Sequence, residues 1–186
     1  MGRIPSRLLD PCIRPADNMD MSSDESLIPM EVKALMTDPV SHVPIVILRD
    51  EDTARFLPIW IGMFEANAIA MKLQDAEAPR PMTHDLTANL LALLGAEMQR
   101  AVITDLADST FYAEIVLERG GDEVVIDSRP SDAIALALRM DAPIFVAESV
   151  LEKAKTDENT ERLSEDERIR KILEELEPED LGEYEM

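Results

Sequence analysis

Ile126-Asp127-Ser128-Arg129-Pro130-Ser131-Asp132-Ala133-Ile134-Ala135-Leu136-Ala137-Leu138-Arg139 changes secondary structure within about one turn of chain. The β-branched run from Glu123 to Asp127 reads as a strand. Arg129-Pro130-Ser131-Asp132 reads as a helix start, since proline suits the first turn and Ser and Asp suit its unpaired N–H groups. A helix is expected from Ser131 to Met140. After it come a short strand over Ala142–Val146 and a closing helix over Ser149–Lys155. Before it, Gln99–Asp105 and Phe111–Glu118 read as strands, with Gly120-Gly121-Asp122 turning the chain into the next one.

The same pattern occurs 65 residues earlier. Ile59-Trp60-Ile61-Gly62 followed by Ala68–Leu73 matches Val124–Asp127 followed by Ala133–Leu138. In the earlier copy the strands are Val32–Met36, Val43–Leu48 and Phe56–Ile61, and the helix is Glu65–Leu73. Arg49–Thr53 reads as a hairpin loop, and Pro58 puts its strand at an edge or a bulge. Between the copies a helix runs from His84 to Leu94, with Thr83 as N-cap and Gly95 just past its end. Leu86, Leu90, Leu93 and Leu94 form its expected buried stripe. The expectation is an α+β fold of two duplicated strand-strand-strand-helix units, forming a mixed or antiparallel sheet with packed helices.

Composition excludes several classes. With 186 residues and 46% hydrophobic content, the chain supports one good-sized core and is not disordered throughout. Cys12 is the single cysteine, so a disulfide scaffold is excluded. The longest apolar run, Phe56–Phe64, is too short to span a bilayer, and the first residues lack the apolar segment of a secretory signal. No membrane association and a cytoplasmic location are expected. The net charge of −21 argues against a protein that coats nucleic acid.

That charge is unevenly spread: −2 over residues 1–29, −10 over 30–155 and −9 over 156–186. Residues 1–29, with four prolines and no periodicity, read as a disordered N-terminal extension, and Met30 as the start of the domain. Residues 30–155 form the domain. Residues 156–186 read as an acidic tail with one short amphipathic helix. Its capping box is Ser164–Glu167 and its stripe Ile169, Ile172, Leu173 and Leu176, which either packs on the domain or docks a partner.

Familiar catalytic signatures are absent: no phosphate-binding glycine loop, no HExxH, no CxxC, no nucleophile elbow. Two helix starts concentrate reactive groups instead. One is Arg80-Pro81-Met82-Thr83-His84-Asp85, the other Asp127-Ser128-Arg129-Pro130-Ser131-Asp132. An arginine beside exposed helix N–H groups suits a phosphate or carboxylate. Asp85, Asp127 and Asp132 offer oxygen ligands for Mg²⁺ or Mn²⁺. Capping and structural ion pairs are the alternative roles for these same residues.

Three stretches together resemble the bifunctional nuclease (BFN) domain family. They are Leu57–Gly62 with Glu65-Ala66, Arg80–Leu86, and Ile126–Arg139, and the resemblance covers about residues 30–155. Ser128 stands where the family usually has alanine. Some members carry a further helical hairpin of the UvrB/UvrC type, for which the tail here has no motif. The resemblance implies an internally duplicated α+β fold and nuclease activity on DNA and RNA. It carries over no assigned catalytic residues, so the candidate roles come from motif position and side-chain chemistry. His84, Asp85, Asp132 and Glu65 are the catalytic candidates. Arg80, Arg129, Thr83 and Ser131 are the substrate-binding ones. Asp127, Asp132 and Asp85 would hold the divalent metal. The competing expectations are a non-catalytic anion- or nucleotide-binding module and a structural homo-oligomer.

Overall fold

The computed structural model describes residues 13–15, 26–38, 41–50, 52–53 and 55–155. The tail helix expected over 164–176, Cys12 and most of the leader lie outside the described residues. The elements are β1 (Ile13–Pro15), β2 (Leu27–Thr37), β3 (Pro44–Arg49), β4 (Phe56–Trp60), α1 (Met63–Leu73), α2 (Thr83–Leu93), β5 (Glu97–Ala107), β6 (Thr110–Arg119), β7 (Asp122–Ser128), α3 (Pro130–Met140), β8 (Ile144–Ala147) and α4 (Glu148–Ala154).

The eight strands order as β1-β7-β6-β5-β8-β2-β3-β4. Among the described residues only β5 and β8 pair in parallel, so the sheet is mixed within an α+β fold. Strand-strand-strand-helix appears twice in the element order, as β2-β3-β4-α1 and β5-β6-β7-α3, each with antiparallel pairing. β4 is an edge strand, where Pro58 lacks an N–H to give. Gly120 and Gly121, at φ 64° and 88°, close the two-residue β6–β7 hairpin, where both central positions need positive φ.

β2 begins at Leu27, three residues before the Met30 boundary read from sequence, because Leu27–Met30 pairs with β8. Its later residues, from Glu31, pair with β3, with a bulge between Val32 and Ala34. Ile13–Pro15, inside the stretch read as disordered, pairs with β7.

The main core lies between the sheet and the helix layer, where Ile103, Ile115 and Val146 meet Ala66, Ile69, Ile134 and Val150. α3 is central: it packs on α1, α2, β5 and β6. Ala133, Ala135 and Ala137 are fully buried, and these small side chains let neighbouring backbones come close. The helix leaves β7, crosses the sheet and returns to β8, so its N-terminal end stands above the end of β7.

α2 departs from expectation. None of its residues is buried, and Leu86, Leu90, Leu93 and Leu94 are exposed. Its inner face is instead Ala88 and Leu91, which pack against the core. A helical stripe shows that a face is apolar, but not which surface covers it. The helix also starts one residue earlier than expected, with Met82 as N-cap, and α3 is capped by Arg129, neither through a side-chain cap.

Candidate active site

Three helix starts converge, one each from α1, α2 and α3. Glu65 is in the first turn of α1, His84 and Asp85 in that of α2, and Asp132 in that of α3. His84 Nε2 lies 2.9 Å from Asp132 Oδ1. The other carboxylate oxygen of Asp132 accepts from Arg129 Nε at 2.7 Å. Arg129 Nη1 reaches Glu65 Oε1 at 2.8 Å. A continuous polar chain therefore runs His84–Asp132–Arg129–Glu65 across three helices.

Exposure varies along this chain. The His84 and Glu65 side chains are largely covered, whereas the Arg129 guanidinium is 64% exposed. Its Nη2 has no partner among the described residues, so an anion from solvent can be bound there. Burial pushes the Asp132 carboxyl up, but Arg129 and His84 outweigh it and hold the group below the ordinary range. Asp132 in turn raises Arg129, with Glu65 adding to the effect. An ionised Asp132 can only accept, so His84 Nε2 carries the proton and a neutral ring presents its lone pair at Nδ1.

Gly62 makes room for this arrangement. It is the N-cap of α1, and a Cβ there would overlap the Glu65 carboxylate. The carboxylate folds back over the helix start because position 62 has no side chain.

Asp85 is held separately. Arg139 Nε donates to its Oδ1 at 2.6 Å, and the Met82 N–H donates to its Oδ2 at 2.8 Å. Arg139, followed by the Met82 N–H, lowers the Asp85 carboxyl below its usual range. Arg139 is itself buried and also donates to the carbonyls of Ala68 and Ala135, so it ties α1, α2 and α3 together. Arg139 was not among the sequence candidates. Its signal was its place seven residues after Asp132, on the same face of α3.

Other candidates fall outside the chain of contacts. Arg80 is exposed in the α1–α2 connection and makes no hydrogen bond or ion pair with the described residues. Thr83 is exposed, and its carbonyl accepts from the Thr87 hydroxyl. Ser131 is buried one residue after Pro130. Asp127 does not join Asp85 and Asp132. Its neighbour Ile126 packs on the helix-side core, and alternation turns Asp127 to the opposite face with Val125. Among the described residues no group of three His, Cys, Asp or Glu side chains is placed to hold a metal ion. The expected Asp127–Asp132–Asp85 ligand set therefore does not form.

The site is open. A cavity of about 580 Å³ is lined by Asn89, Met98 and Arg139, and another of about 400 Å³ by Met30, Leu73 and Leu138. Neither includes His84, Asp132, Arg129 or Glu65. An exposed arginine at a helix start suits an anionic group arriving from solvent.

Residues 46–159 match the family described as the bifunctional nuclease domain. The chain belongs to that family. A Mycobacterium tuberculosis (strain CDC 1551 / Oshkosh) protein described as uncharacterized is 38% identical over 160 residues, covering 81% of this chain and 96% of its own length. Bifunctional nuclease 2 of Arabidopsis thaliana is 28% identical over 108 residues, 56% of this chain and 33% of the plant protein. Bifunctional nuclease 1 of Oryza sativa subsp. indica is 25% identical over 114 residues, 60% of this chain and 34% of the relative. The match spans the whole His84–Asp132–Arg129–Glu65 chain of this BFN domain. Among the described residues no helix is long and apolar enough to cross a membrane.

Proposed function

We propose that this BFN-domain protein is a nuclease that hydrolyses phosphodiester bonds in DNA and RNA. The observation that carries the reading is the His84–Asp132 hydrogen bond, with Arg129 on the same carboxylate. Asp132 orients the imidazole and stabilises its protonated form. His84 Nδ1 takes a proton from the attacking water. Arg129 holds the phosphate and offsets the charge that develops on it, and exposed Arg80 adds a second contact along the strand. Glu65 keeps the Arg129 guanidinium in place. Asp85, with both oxygens engaged, positions α2 rather than touching substrate. The resemblance to plant bifunctional nucleases supports the choice of substrate.

The divalent metal expected from sequence enters no step, because Asp127 faces away from the other two carboxylates. A second reading is a non-catalytic module that binds a nucleotide or other anion on Arg129. The full engagement of the Asp132 and Asp85 oxygens favours it.

The test is cleavage of single-stranded and duplex DNA and RNA by highly purified protein, with and without EDTA. The nuclease reading expects cleavage that disappears in His84→Ala. A thermal shift with nucleotides and no cleavage under any condition would support the module instead.

A further inference from the structure

Phe64 is the most exposed large apolar side chain among the described residues, at 88%. The chain has four phenylalanines. The other three each pack on a different apolar cluster: Phe111 on the main core, Phe56 beside Ile45 and Ile47, and Phe145 beside Val102 and Val116. Phe64 joins none of them. The helix period explains why. The buried residues of α1 are Ala66, Ile69 and Ala70, and Phe64 lies about 200° round the helix from Ala66, on the far side.

Its neighbours give the ring a use. Phe64 immediately precedes Glu65, whose carboxylate holds Arg129 Nη1 at 2.8 Å. The Arg129 side chain is 64% exposed. An open aromatic ring and an open cation therefore share the start of α1.

We propose that Phe64 is a stacking platform for a nucleobase and makes this site selective for single-stranded nucleic acid. The proposal rests on the nuclease reading only for the placement of a strand phosphate on Arg129. A nucleotide brings both groups that this surface can take, an anionic phosphate and a flat base. An aromatic face accepts any base, so the contact adds affinity without reading sequence. In a duplex the bases are already paired and stacked, and the ring meets no free face. Net charge favours the same occupant. The chain carries −21 and repels nucleic acid over most of its surface, so a few phosphate contacts alone hold a strand weakly. Stacking attracts without needing positive charge. An anionic lipid surface meets the same repulsion and offers no flat group to the ring.

Fluorescence anisotropy with a labelled strand of about 12 nucleotides tests this. The protein is the full-length chain carrying His84→Ala, so that the strand stays intact. The probes are the single strand, its duplex, and an abasic strand with the same number of phosphates. Phe64→Ala and Phe64→Leu should each weaken single-strand binding by about tenfold or more, and Phe64→Trp should keep it. Binding of the duplex and of the abasic strand should not change. Circular dichroism should stay the same, because the side chain is exposed. Equal losses on all the probes would overturn the proposal. So would full affinity in Phe64→Leu, or no measurable binding of the single strand. The platform and the nuclease fail separately. The expected binding pattern without cleavage by protein that retains His84 supports the platform and removes the nuclease. Cleavage that needs His84 with binding that ignores Phe64 keeps the nuclease and overturns the platform.

Discussion

The Nε2 atom of His84 stands 2.9 Å from Oδ1 of Asp132, 48 residues further along the chain, and the contact joins the first turns of α2 and α3. Each residue alone has an ordinary helix-start role. Their meeting, with Arg129 on the opposite oxygen, sets the imidazole in one orientation beside an exposed cation.

Asp132→Asn should separate orientation from charge. The amide keeps the shape but can present its N–H to His84, which favours the wrong tautomer. Cleavage is expected to fall about 10²–10⁴-fold, the usual worth of a positioned base. Substrate affinity should change much less. Single-turnover rates at saturating substrate, beside a binding isotherm, check this.

Gly62→Ala should act through Glu65. The new methyl occupies the space of the Glu65 carboxylate and pushes it from Arg129. With φ −72° at this position, the backbone accepts alanine without strain. The expected result is weaker binding of inorganic phosphate or oligonucleotide with little change in Tm. Glu65→Gln should produce a similar loss, and isothermal titration compares the two.

Arg139→Met should be the most destabilising change in the cluster. It removes the partner of Asp85 and two donors to the carbonyls of Ala68 and Ala135. The cost is about 1–3 kcal/mol, as for leaving such groups without partners. Urea unfolding should show a lower midpoint with an unchanged slope.

Acid should weaken the fold through three aspartates. Thr53, against opposing burial and with help from Arg55, lowers Asp50. Arg139 lowers Asp85. For Asp132, burial raises the carboxyl, and Arg129 with His84 more than reverse it. In the unfolded chain these groups take protons near the ordinary aspartate value of about 3.9. Their contribution is therefore complete above that pH and lost as pH falls through the lower folded values. A series of Tm measurements from pH 7 to pH 2 should stay nearly level, then drop below about pH 4. Asp85→Asn should lower the plateau and soften the drop.

The helix starts were legible because Pro, Ser, Thr and Asp there answer local needs of the backbone. That made Glu65, His84, Arg129 and Asp132 visible as candidates before their contacts were known. Arg139 was hidden because its role rests on a partner 54 residues away. Asp127 was misplaced because which face it takes depends on strand alternation relative to α3. The Leu86–Leu90–Leu93 stripe was read as buried inside the domain, since periodicity reports an apolar face and not its cover. Pro58 was read correctly, because a missing N–H has the same consequence in any sheet.

The most direct measurement is cleavage of a labelled single-stranded oligonucleotide by wild-type protein and by His84→Ala, purified in parallel and matched for circular dichroism. The account predicts cleavage by the wild type and a loss of at least about 100-fold in the variant. Equal cleavage by the two proteins, or none by either with oligonucleotide still bound, would contradict it.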